Sequence, residues 1–121
     1  LAVMSQRLVR LLCTTCREGA NASEAERELL QVDALSSEAI TLYKADGCEK
    51  CNYTGYRGRT GIYEMIEVDE TLRTLIYEGA SEQDMLAHAR QLYPSIQADG
   101  RRRILAGETS LAEVMRVTSV A

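Results

Sequence analysis

Four cysteines stand as two Cys-x-x-Cys pairs, Cys13/Cys16 and Cys48/Cys51, with thirty-one residues between the pairs. This is the spacing of a structural zinc site. Each pair forms a tight knuckle that presents two thiolates to one side, and two facing knuckles complete a tetrahedral sulfur cage. Four protein ligands leave no open position for water or substrate, so Zn²⁺ held by Cys13, Cys16, Cys48 and Cys51 builds structure rather than doing chemistry. Two disulfides or four buried free thiols are the alternatives. No signal-like apolar stretch precedes the first pair, so nothing indicates an oxidising compartment. A thioredoxin-like redox site needs a single pair at a helix start within a βαβ unit, which this pattern does not offer.

The chain has 121 residues, enough for one modest core or two small units sharing one. Its net charge is −4, and a zinc tetrathiolate adds about −2. Such an acidic balance argues against nucleic acid as a general partner, because basic surface supplies that affinity. The aromatics are all tyrosine, six of them, so stacking platforms for single strands are thin. No apolar run approaches the roughly 18 residues of a membrane-spanning helix. The opening "LAVMSQRLVRLL" lacks a starting Met and is already apolar, which suggests a piece of a larger protein.

The elements that must position the cysteines come next. Residues 1–12 are ambiguous. Leu1, Met4, Leu8 and Leu11 or Leu12 fit a helix face, while Arg7 and Arg10 flanking Leu8 and Val9 fit a short buried strand. Ser23 with Glu26 is a capping box and predicts a helix from Glu24 to Gln31 that buries Leu29, Leu30 and Val32. "AITLYK" predicts a strand leading into the second knuckle. Gly55, Gly58 and Gly61 recur without the Gly-Lys-Ser/Thr of a phosphate-binding loop. "TGIYEMIEV" alternates, placing Ile62, Glu64, Ile66 and Val68 on one side of a further strand. Asp69, Ser81, Ser95 and Ser110 can each cap a helix, with stops at Gly79, Pro94 and near Gly107; Ser110 with Glu113 is a second capping box.

Other chemistry-bearing residues carry two readings each. Arg101, Arg102 and Arg103 form either a solvated helix face or a contact with an acidic partner or anionic surface. Arg57 and Arg59 either offset the negative cage or reach a neighbouring subunit. His88, the single histidine, has Asp84 and Leu92 at its helical neighbours, so it reads as a plain helix residue rather than a ligand. No nucleophile–base arrangement is visible, and no catalytic site is assigned.

Three stretches, "SQRLVRLLCTTC", "GCEKCNYTGYRGRTGIYEMIEVD" and "PSIQADGRRRILAGETSLAEVMRVT", resemble the C-terminal part of the secretion and type IV pilus assembly ATPases. "EQDMLAHAR" and "TSLAEVMRVT" are more similar to the type II secretion branch than to the pilus branch. The resemblance covers nearly the whole chain, and the paired cysteines followed by Gly-Tyr-Arg-Gly-Arg-Thr-Gly-Ile carry its specificity. It implies a ring hexamer on the cytoplasmic face of the inner membrane of a Gram-negative bacterium. ATP and Mg²⁺ would bind an upstream core whose Walker motifs are not in this stretch. The partners implied are that core, neighbouring subunits of the homohexamer and the inner-membrane secretion platform. The hydrolysis implied would drive pseudopilus assembly and secretion across the outer membrane. A pilus-assembly ATPase domain and a free-standing zinc-stapled interaction module are the alternatives.

The family pattern further implies that Ser5 to Leu12 is the last strand of the ATPase core, after a short helical lead, and that Arg59 to Glu67 returns antiparallel to it. The zinc segment is then an insertion grown from a hairpin. The expected fold is α+β: a short antiparallel β-hairpin with a tetracysteine zinc insertion, followed by a bundle of about four short helices. The division expected is 1–12 for the last core strand, 13–60 for the zinc segment, and 61–121 for the return strand and helical subdomain.

Overall fold

The computed structural model describes residues 1–32 and 39–118. Residues 33–38 of the expected zinc segment and 119–121 of the expected helical tail lie outside the described residues. The architecture is α+β. Strand β1 (Ala2–Leu12) pairs antiparallel with β4 (Tyr56–Glu67), and a smaller pair, β2 (Glu18–Asn21) with β3 (Thr41–Lys44), lies in the connection between them. Helix α1 (Glu24–Leu29) joins β2 to β3; α2 (Glu70–Tyr77), α3 (Glu82–Leu92), α4 (Ile96–Leu105) and α5 (Leu111–Thr118) follow β4.

The register of the long pair runs from Ala2↔Glu67 to Arg10↔Arg59, with an irregularity before Leu12↔Tyr56. Opposed residues share a face, so Val9 and Ile62 fall on the buried side, and both are completely shielded from solvent. The strand begins at Ala2, and the expected helical lead before Ser5 is not formed. Pairing with β4 gives the backbone groups on one edge of β1 a ladder that runs back to Ala2, and this tertiary pairing overrides the local helical periodicity. The return strand likewise starts at Tyr56 rather than Arg59. The alternation read in β4 holds: Ile62 is buried, Glu64, Ile66 and Val68 are partly covered, and Tyr63, Met65 and Glu67 are exposed.

The caps follow the sequence. Ser23 Oγ accepts from the Glu26 amide at 3.2 Å while the Ser23 amide donates to Glu26 Oε1 at 2.9 Å. Asp69, Ser81 and Ser95 accept from the amides of Leu72, Asp84 and Ala98. In α1, Leu30 is buried but Leu29 is exposed. Among the helices, α2 packs chiefly on α3, and α4 on α5.

The core shows what the cysteine-bearing insertion is attached to. Val9 from β1, Ile62 from β4, Leu30 and Leu42 from the insertion, and Ile104 and Val114 from α4 and α5 form one cluster. The insertion and the last two helices therefore share a single apolar core. Gly100 makes the close approach possible: a Cβ there would meet Val114 Cγ1 at 2.5 Å.

Candidate metal centre

Two backbone turns aim the cysteines. In the first, the Arg17 amide donates to the Cys13 carbonyl at 3.0 Å, closing a tight loop over Thr14 and Thr15. In the second, Cys48 leads into a 3-10 turn, Glu49–Cys51, and the chain reverses through Asn52 and Tyr53 in left-handed conformation, φ 55 and 62. Gly55 joins the two knuckles. Its carbonyl accepts from the Cys13 amide at 3.0 Å, and its own amide donates to Cys51 Sγ at 3.2 Å. Its φ is +83, and a Cβ would lie 2.5 Å from Ala45 Cβ, so only glycine fits.

The four Sγ atoms all lie within 4.8 Å of one another. Cys13–Cys48, Cys16–Cys51 and Cys48–Cys51 are each 3.8 Å apart. A tetrahedron with Zn–S bonds of about 2.3 Å has edges of about 3.8 Å, so the donor set fits the ion in both spacing and chemistry. Disulfide sulfurs sit about 2.05 Å apart, and all four cysteines are free. Cys13 and Cys51 are buried, while Cys16 and Cys48 are partly covered.

The thiols are electrostatically unequal. Burial opposes ionisation of Cys51, but the Cys48 and Gly55 amides donate to its sulfur and bring it down to about 6. Burial and its thiol neighbours, Cys48 first, push Cys16 up to about 12. Bound Zn²⁺ would supply a closed four-coordinate node with all four sulfurs deprotonated. The amide donors already present at Cys51 are of the kind that stabilise a ligating thiolate.

The candidate contact residues divide. Arg57, Arg59 and Arg103 come together along one cleft beside the first knuckle. Arg102 points elsewhere and pairs with Asp99 of its own helix at 2.8 Å. Arg101 is not part of the cleft wall. Arg17, which the sequence reading did not single out, completes the group.

Two further features escaped the sequence. Glu113 is fully buried, and its carboxylate accepts from the Arg10 amide at 2.8 Å, the Arg10 side chain at 3.0 and 3.2 Å, and Arg116 at 2.9 Å. Ser110 Oγ accepts from the Glu113 amide at 3.1 Å, as a cap should, but the Glu113 carboxylate is spent on the arginines instead of closing the box. The Arg116 hydrogen bonds, opposed by burial and aided by Arg10, hold this carboxyl down at about 2. Arg10 also lies 4.2 Å over the Tyr56 ring, whose hydroxyl meets Ser110 Oγ at 2.7 Å. His88, read as a plain helix residue, bonds through Nε2 to the Asp69 carboxylate at 2.8 and 3.1 Å. It thereby ties α3 to the cap of α2.

Among the described residues no helix is long and apolar enough to cross a membrane. A family model described as "Type II/IV secretion system protein" matches residues 1–116. The chain is 52% identical over 118 residues to the type II secretion system protein E of Pseudomonas aeruginosa, covering 98% of this chain and 23% of that protein. It is 50% identical over 118 residues to the type II secretion system ATPase E of Vibrio cholerae, with the same coverage. To the protein E of Klebsiella pneumoniae it is 45% identical over 120 residues, again 98% of this chain and 23% of the relative. The chain thus spans about a quarter of the length of these relatives. With a family model matching nearly its full length and half of its residues shared with such relatives, the chain belongs to the type II/IV secretion system protein family.

Proposed function

We propose that this chain is the zinc-stapled structural module at the C-terminal end of a type II secretion ATPase. It would support hexamer assembly and couple ATP hydrolysis in the upstream core to pseudopilus assembly and protein secretion. The observation that carries this reading is the sulfur tetrahedron: three edges of 3.8 Å, set in a segment that shares its core with both the hairpin and the last two helices. A rigid node joined to every neighbouring element suits a part that carries displacement rather than substrate. Cys13, Cys16, Cys48 and Cys51 are the proposed ligands. Gly55 and the Cys48 amide hold Cys51 in place, and the apolar wall of Leu30 and Leu42 keeps the segment seated.

In this reading residues 1–12 continue the upstream ATPase core, 13–60 form the zinc segment, and 61–121 carry the return strand and helical subdomain. Arg57, Arg59, Arg101, Arg102 and Arg103 are the proposed contacts with neighbouring subunits of the homohexamer or with the inner-membrane platform. The module would work in the cytoplasm, peripheral to the inner membrane. A relative named type II secretion system ATPase E supports the assignment to a secretion ATPase.

Elemental analysis of the purified protein, with a free-thiol count, tests the reading. About one zinc per chain is expected. Cys48→Ser should lower thermal stability and the assembly-linked ATPase activity of the full-length protein. No metal together with two disulfides, or a Cys48→Ser protein with normal stability and stimulated activity, would sink it.

A further inference from the structure

Four arginines from three separate stretches of the sequence surround one cleft of about 450 Å³ between the first knuckle, the start of β4 and the α4–α5 turn. Arg17, Arg57, Arg59 and Arg103 line it with Thr14 and Thr60. Two of the guanidinium groups are fixed. Arg17 Nη1 donates to the Gly107 carbonyl at 2.6 Å, and its plane lies 4.2 Å over the Tyr43 ring. Arg103 Nη1 donates to Glu108 at 2.8 Å, while its buried Nε has no hydrogen-bond partner. The other two, Arg57 and Arg59, are exposed and have no ion-pair partner among the described residues.

The simplest account is that these arginines neutralise the metal cage. The hydrogen bonds do not support it, because none of the four guanidinium groups donates to a cysteine sulfur. Among the described residues lining the cleft, Glu108 is the one carboxylate against four guanidinium groups. Even with about two negative charges on a loaded cage, the balance stays positive. Arg57 and Arg59 stand without an ion-pair partner beside two further guanidinium groups, and like charges gathered in this way cost stability, so their arrangement points to a ligand that completes it.

We propose that this cleft binds a phosphate-class oxyanion, either the free ion or the terminal group of a soluble phosphate ester. Planar guanidinium forks match tetrahedral oxyanions bidentately, and threonine hydroxyls beside them can donate to the remaining oxygens. Two arginines pinned to the wall offer a pre-set half of the site; Arg57 and Arg59 close over it. The volume exceeds what a bare phosphate fills and is within the range of small-ligand sites. This deepens the contact reading given above for Arg57, Arg59 and Arg103, and it rests on that reading only in sharing those residues.

The test is an amide NMR titration of the metal-loaded protein with inorganic phosphate, then with glycerol phosphate, at constant ionic strength. Saturable shifts are expected at the amides of Thr14, Thr15, Gly58 and Gly107, with little change in α2 and α3. The double variant Arg57→Gln/Arg59→Gln should bind at least tenfold more weakly at unchanged melting temperature and metal content. Saturation with both probes assigns an ester-terminated ligand, and saturation with phosphate alone assigns the free ion. Linear shifts, equal shifts with acetate, or unweakened binding by the double variant would overturn the proposal. Metal content, read on the same samples, reports on the zinc reading separately, so one can fail without the other.

Discussion

Glu113 shows how a single side chain can matter more than its sequence context suggests. Its carboxylate receives the Arg10 backbone amide and two guanidinium groups, linking the last helix to the first strand across 103 positions. Its carboxyl sits at about 2 against an ordinary 4.5, so the folded state prefers the ionised form. That stability is complete above about pH 5, falls as pH drops through 4.5 towards 2, and is worth about 3 kcal/mol. Glu113→Gln should therefore lower stability at neutral pH by about that amount. The gap between the two chains should close on acidification in chemical denaturation series. The difference is the readout, because both chains shed ligating thiolates over an overlapping range; a gap that stays constant from pH 7 to pH 3 would contradict the assignment. The four cysteines were legible because their chemistry needs only short fixed spacings. Glu113 looked like half of a capping box because its true partners are distant, and no local pattern announces a contact between the two ends of a chain. His88 was opaque for the same reason, with its Asp69 partner 19 positions away.

The elements followed their punctuation. Caps at Ser23, Asp69, Ser81 and Ser95 form as read, because a short polar side chain satisfies a free helix-end amide without tertiary help. Strand β2, "EGAN", was missed. It contains no β-branched or aromatic residue, and it is extended because β3 supplies the ladder from Glu18↔Lys44 to Asn21↔Thr41. The start of β1 was misread for a related reason. Leu1, Met4 and Leu8 imitate a helical stripe, yet Leu1 just before the strand and Met4 and Leu8 on it are all exposed. At Gly100, α4 meets α5 against β4 with no room for a Cβ. Alanine at that site gains about 1 kcal/mol of helix propensity but overpacks at a cost of about 1–3 kcal/mol. Gly100→Ala should destabilise by up to about 2 kcal/mol in urea unfolding, and Val114→Ala in the same chain should recover part of the loss. A stabilised Gly100→Ala protein would show that the helices can separate freely.

At the scale of the whole molecule, the insertion and the last two helices share one core. Leu30 and Leu42 touch the same cluster as Ile104 and Val114, and the Leu12 amide donates to the Glu108 carbonyl at 2.9 Å. Removing metal with a chelator should therefore speed hydrogen exchange at Ile104 and Val114 as well as around the cysteines. Exchange confined to residues 13–55 would mean that the cysteine-bearing segment loosens alone. This sharing could not be read from the chain, because insertion and tail each looked self-contained in their punctuation. The long hairpin has a mechanical corollary. Its open end is where the Val68 amide reaches the Leu1 carbonyl at 2.9 Å, and its far end runs into Cys13 and Gly55. Tension drawing Leu1 away from Val68 would peel the two strands one rung at a time, as a zip opens. The peeling front meets the Glu113 clamp on Arg10 and then the sulfur cluster. The hairpin is thus compliant at its mouth and toughest at its root, and a tear begun at one end is arrested before it reaches the other.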